Sequence, residues 1–115
     1  VILIESNTKK TVFLLEAARV CGVLGQIEIA RERIEVANAR EADVITARAF
    51  APLPKLLELG QRHLKPGGHY VLLKGRAFEE ELADARAAGW VFTVTTHASL
   101  VDPEGVVLIL QGVDR

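Results

Sequence analysis

The stretch Val1-Ile2-Leu3-Ile4-Glu5-Ser6-Asn7-Thr8 decides the reading of the fold. Its four apolar residues, three of them β-branched, run without a polar break. Such a run suits a strand covered on both faces, the usual state of a strand in a parallel sheet. It stops at an acid, and Ser6, Asn7 and Thr8 then supply helix N-cap chemistry. A strand that feeds a helix at once is the first part of a βαβ unit.

Working outward, the spacing predicts a helix over 8–21 with Phe13, Ala17, Val20, Cys21 and Leu24 on one face. Gly22 and Gly25 mark its end. A second strand is read at 26–30. Residues 31–41 are polar and charged, a loop with room for one helical turn. Asp43 introduces a third strand, Val44 to Ala47. Pro52 and Pro54 bracket the start of a helix over 53–64, whose apolar face is Leu53, Leu56, Leu57, Gly60 and Leu64. Lys65-Pro66-Gly67-Gly68 reads as a stop and turn. A fourth strand is read at 69–74 and ends at Gly75.

A third helix is read over 78–88, with Phe78, Leu82 and Ala85 inward and Gly89 as its cap. Glu79, Glu80 and Glu81 suit the positive end of its dipole. Two last strands, 91–100 and 106–110, are joined by Asp102-Pro103-Glu104-Gly105, and so short a turn makes them antiparallel. The expected class is α/β: parallel strands wrapped by helices, closed by an antiparallel hairpin.

Composition narrows the function classes. Half of the 115 residues are apolar, enough for a real core in one domain, 1–115. The net charge of -1 argues against a wholesale basic nucleic-acid binder but leaves room for a local basic patch. The single cysteine, Cys21, has no partner for a disulfide or a CxxC metal site, which fits a reducing, cytoplasmic compartment. His63, His69 and His97 lack ligand spacing, so no metal is expected. No membrane span or signal peptide is visible. The chain contains no Met and opens inside a strand, so it is read as part of a longer domain.

In open α/β sheets, ligands bind outside the carboxyl ends of the strands. Charged residues crowd those ends here. Glu5 follows the first strand, where a carboxylate can accept two hydrogen bonds from a ribose diol. Alone, it reads equally well as a solvated acid near a helix N-terminus. Ile34 and Glu35 follow the second strand and offer an apolar wall and a polar edge for an adenine. Alone, they are an ordinary loop with one anchoring Ile. Arg48 follows the third strand, where a guanidinium can grip a phosphate or a carboxylate in a planar fork. Phe50 beside it can stack a base or pack into the core. Lys74 and Arg76 follow the fourth strand as candidate RNA phosphate contacts. No nucleophile elbow, phosphate loop or GxGxxG is present, and no side chain is assigned a catalytic role.

Three stretches together resemble a known family. They are Ile4-Glu5-Ser6-Asn7-Thr8-Lys9-Lys10, Thr46-Ala47-Arg48-Ala49-Phe50-Ala51-Pro52-Leu53, and Leu64-Lys65-Pro66-Gly67-Gly68 running to Leu73-Lys74-Gly75. The sequence is similar to the bacterial 16S ribosomal RNA guanine-N7 methyltransferases, the glucose-inhibited division protein B family. The resemblance implies a Rossmann-like class I methyltransferase sheet with a reversed last strand. It implies S-adenosylmethionine as cofactor, bound by Glu5, Ile34, Glu35 and Arg48. It implies 16S RNA or the 30S subunit as partner, met by Arg48 and Lys74, to which the residue reading adds Phe50 and Arg76; the expected state is a monomer.

The family's first strand, glycine-rich loop and amino-terminal helices have no counterpart in this sequence, so the chain alone is expected to be inactive. Two other classes compete: a nicotinamide-dependent oxidoreductase, which would need a GxGxxG, and a non-catalytic RNA-binding module, which would favour a more basic chain.

Overall fold

The computed structural model describes residues 1–48 and 51–115. The chain divides into two compact units, Val1–Asn38 and Ala39–Arg115.

In the first unit, β1 (Ile2–Ile4) pairs in parallel with β2 (Glu28–Ala30), Ile4 standing beside Ala30. Between them runs α1 (Thr8–Val20). Asn7 caps it, its Oδ1 accepting the Lys10 N–H at 3.0 Å, as the N-cap chemistry of the opening stretch predicts. Gly22, at φ +73°, ends it. There the Gly22 and Val23 amides return to the carbonyls of Arg19 and Ala18, the paired closure that a left-handed residue permits.

The inward face of α1 differs from the expected one. Thr11 and Ala18 are buried and Leu14 is half-buried, whereas Phe13 is 69% exposed and Val20 72% exposed. Apolar residues occupy nearly the whole circumference of this helix, so spacing alone could not choose the stripe. A short 3₁₀ turn, Leu24–Gln26, precedes β2 and shortens it relative to the expected strand.

The second unit is a four-stranded sheet in the order β3-β4-β6-β5. β3 (Ala42–Arg48) and β4 (Leu64–Lys74) are parallel, joined by α2 (Leu53–Gly60) and a 3₁₀ turn, Gln61–His63. α3 (Phe78–Ala87) follows β4. β5 (Val91–Ala98) and β6 (Val106–Asp114) form the hairpin, with β6 antiparallel to both β4 and β5. The reversed strand therefore inserts between β4 and β5 rather than adding at the edge.

Lys65-Pro66-Gly67-Gly68 does not stop the chain as expected. It is a bulge inside β4: the partner of Ala42 is Leu64, and that of Val44 is already His69. Gly67 takes φ +84° there.

The core lies between the sheet and the pair α2 and α3. On β4, alternation puts Tyr70, Leu72 and Lys74 on one face. Their register partners on β6 are Leu110, Leu108 and Val106. All of these except Lys74 are buried core residues, packed with Leu53, Leu56 and Leu57 of α2 and Leu82 and Ala85 of α3. Those helix faces are the ones the spacing predicts. At the far end, the Arg115 guanidinium lies 4.8 Å from the Trp90 ring centre. No helix among the described residues is long and apolar enough to cross a membrane.

Candidate functional site

In the first unit, the parallel pairing of β1 and β2 brings Glu5 and the 31–35 turn to the same end of the two strands. The Glu5 amide continues the ladder, donating to the Ala30 carbonyl at 3.0 Å. Glu5 is half-buried, and its carboxylate accepts the Asn7 N–H through Oε1 at 3.3 Å. An ionised carboxylate has about four acceptor positions, so capacity remains for a diol. Ile34 is half-buried, and Glu35 is exposed with its Oε2 3.6 Å from the Arg33 Nε. The Val36 and Ala37 amides both reach the Arg33 carbonyl, which makes the single turn for which the loop has room.

In the second unit, a hollow of about 400 Å³ opens at the carboxyl ends of β3 and β4. Arg48 and its register partner Leu73 line it, with Lys74, Ser99, Asp102 and Glu81. Arg48 is exposed. Phe50 lies outside the described residues. Arg76 is exposed and pairs with Glu104 of the β5–β6 turn.

Lys74 occupies a different setting from the free cation that its place at a strand end suggests. It continues the inward row of Tyr70 and Leu72, and its side chain is only 9% exposed. Its Nζ donates to the Ala51 carbonyl at 2.7 Å and to Glu81 Oε1 at 3.0 Å. The same Glu81 oxygen accepts the Leu53 amide at 2.8 Å. Leu53 is the first residue of α2, and its N-cap, Pro52, supplies no side-chain cap. Glu81 therefore caps α2 from a distance and places a negative charge at the positive end of its dipole. From sequence, Glu81 is one of three consecutive acids at the start of α3, and nothing there singles it out.

The turn 99–105 forms one wall of the hollow and is tightly tied. Ser99 Oγ accepts the amides of Val101 and Asp102 at 3.3 and 3.2 Å. Asp102 Oδ1 accepts the Glu104 amide at 3.0 Å. Ser99 and Asp102 are not legible from sequence as lining residues, because a turn motif announces its own bonds and not what it faces. Among the described residues no His, Cys, Asp and Glu cluster could hold a metal ion.

The first unit offers an acidic and an apolar side chain at one end of two strands, and the second an exposed guanidinium on a concave strand-end surface. Glu81, on the hollow's wall, is engaged by Lys74 and the Leu53 amide.

Solved structures share this architecture. An S-adenosylmethionine-dependent O-methyltransferase from Thermotoga maritima superposes with a TM-score of 0.72 at 11% identity, covering 99% of this chain and 50% of that one. Fibrillarin from Aeropyrum pernix, solved with natively bound S-adenosyl-L-methionine, gives 0.69 at 13% identity, over 95% of this chain and 54% of that one. At such identities the likeness establishes the class I methyltransferase fold.

Sequence relatives are far nearer. The ribosomal RNA small subunit methyltransferase G of Ruegeria pomeroyi is 42% identical over 114 residues, 99% of this chain and 54% of that protein. Its counterpart in Paramagnetospirillum magneticum is 44% identical over 113 residues, 98% of this chain and 54% of that protein. The chain thus spans about half the length of these curated relatives. The family model described as GidB, rRNA small subunit methyltransferase G, matches residues 1–99, and the chain belongs to that family.

Proposed function

We propose that the full-length protein carrying this chain transfers a methyl group from S-adenosylmethionine to N7 of a guanine in the decoding region of 16S ribosomal RNA, presented as RNA or as the 30S subunit. The observation that carries the reading is the hollow at the ends of β3 and β4 with an exposed Arg48 on its wall, in a chain of this family.

Taken unit by unit, the side chains have chemistry suited to parts of the cofactor. Glu5 has the acceptor capacity for a ribose diol, Ile34 and Glu35 have the apolar and polar character an adenine edge requires, and Arg48 suits a carboxylate or phosphate. When bound, the cofactor supplies a methyl group already activated on a sulfonium. The protein's task is then positioning. Guanine N7 carries an in-plane lone pair, so no side chain has to remove a proton. The protein's contribution would be to hold the guanine ring against the bound cofactor and to exclude water from between them. The guanine must enter unpaired or flipped, and Arg48 and Arg76 are the cations assigned to the RNA backbone.

The test is methyl transfer by the full-length protein to 30S subunits and to naked 16S RNA, with radiolabelled S-adenosylmethionine. Chemical cleavage at N7-methylguanine then maps the label. One labelled guanine in the decoding region is the expected result. Absence of transfer, or label at another ring position, would overturn the reading.

A further inference from the structure

We propose that Lys74 and Glu81 are positioning residues: a buried ion pair that clamps the backbone between Ala51 and Leu53, so that the part of the hollow's wall formed by Ala51 and Pro52 is held rigid. The kinetic part of this inference rests on the methyl-transfer reading above.

The geometry is specific. A lysine in the Tyr70-Leu72-Lys74 row takes a place that the pattern reserves for an apolar side chain, and a charge there is costly unless it is paired. Its partners are not interchangeable with water. One is the Ala51 carbonyl at 2.7 Å and the other Glu81 Oε1 at 3.0 Å. Glu81 closes the figure by accepting the Leu53 amide at 2.8 Å. Two backbone groups two residues apart, one acceptor and one donor, are thus fixed by opposite ends of a single ion pair. A lysine only donates and an ionised carboxylate only accepts, so the two side chains match those groups in one orientation alone.

The clamp stands on three elements: the end of β4, the first turn of α3 and the start of α2. Ala51 and Pro52 line the hollow, and holding them limits where that wall can lie. Methyl transfer by positioning is sensitive to such placement, since displacement of about 1 Å can cost on the order of a hundredfold in rate. On this account Lys74 acts through the backbone it holds. It does not touch RNA.

The experiment uses the full-length protein. In Lys74→Met with Glu81→Leu no buried charge is left unpaired, so the fold is retained while both backbone groups are released. Amide exchange at Leu53 should accelerate at least about tenfold, and kcat should fall by on the order of a hundredfold. The salt dependence of RNA binding should keep its wild-type slope. Unchanged Leu53 exchange, or wild-type kcat, would overturn the clamp. So would a slope reduced by about one phosphate contact in Lys74→Met alone, because Lys74 would then be meeting RNA.

If the double variant does not fold, the comparison of Glu81→Gln with Glu81→Met decides. Glutamine keeps an oxygen acceptor for the Leu53 amide and should restore most of the exchange protection and turnover that methionine loses. Equal behaviour of the two would sink the proposal. A wild-type protein that transfers no methyl group would defeat the methyl-transfer reading instead, and the exchange measurements would still report on the clamp.

Discussion

The Tyr70 hydroxyl donates to Gln61 Oε1 at 2.9 Å, and Gln61 Nε2 donates onward to the Val113 carbonyl at 2.9 Å. A single amide side chain thereby ties β4 and β6 to the end of α2. Gln61→Leu removes both bonds and leaves the buried phenol without its acceptor, at a cost of about 1–3 kcal/mol. Tyr70→Phe removes the donor together with its need. In a double-mutant cycle the pair of changes should therefore cost less than the sum of the single ones. Denaturant unfolding of the four proteins checks this. Strict additivity would show that the bond contributes nothing.

Tyr70 also predicts an alkaline limit. Burial pushes its phenol above the ordinary value of 10.0, because a phenolate in the core would lose its water. Below about pH 10 the phenol is protonated in both folded and unfolded chains, so Tyr70 adds no pH dependence. Above that, the unfolded chain releases the proton while the folded chain keeps it. The unfolded state then binds fewer protons, and stability falls as pH rises. Tyr70→Phe should flatten that fall, as read from unfolding free energies on either side of pH 10. Equal alkaline slopes in the two proteins would contradict it.

The two glycines of the β4 bulge should respond differently to alanine. A Cβ on Gly68 would lie 2.7 Å from the Asp43 carbonyl oxygen and 2.9 Å from that of Lys65, both backbone atoms that cannot swing aside. Gly68→Ala therefore has to displace β3 or the bulge itself, with an expected loss of about 1–3 kcal/mol. Gly67 faces open space and is constrained only by its φ of +84°. Its alanine variant should lose about 1 kcal/mol, the cost of a left-handed L-residue. Thermal or urea unfolding that ranks Gly67→Ala as the worse of the two would refute the packing argument.

What the sequence displayed and what it hid divide along a physical line. Strand and helix alternation, the antiparallel hairpin at 102–105, and the inward faces of α2 and α3 follow from local periodicity, and each is where the pattern put it. The resemblance carried by Arg48 and the Lys74-Gly75 pair identified the family. Choices that depend on distant partners were not legible. Helix α1 has apolar residues at Val12, Phe13, Leu14 and Leu15 in succession, so its buried stripe is set by what it packs against. Glu79, Glu80 and Glu81 read alike as dipole-compensating acids, yet Glu81 alone meets Lys74 and the Leu53 amide. The proline and glycines at 66–68 are turn residues by local rule, and the sheet absorbed them as a bulge because β3 and β6 flank β4 on both sides. By sequence Lys74 is a cation at a strand end and a candidate RNA contact, and only the register with Val106 shows that it sits in the core-facing row.

Arg48 is the cation whose removal should register in binding as well as in rate. It is exposed on the wall of the hollow, and among the described residues no ion pair neutralises it, whereas Arg76 is paired with Glu104. An unpaired guanidinium can neutralise a phosphate and release its counterion, so Arg48→Ala in the full-length protein should lower the salt slope of RNA binding by about one contact. Arg48→Lys keeps the charge but loses the planar fork. It should retain the slope while losing part of the turnover, which separates charge from geometry. Calorimetric titration with S-adenosylmethionine distinguishes the two candidate ligands. If cofactor affinity drops in both variants and the salt slope is unchanged, Arg48 serves the cofactor alone, and the RNA contact assigned to it is wrong.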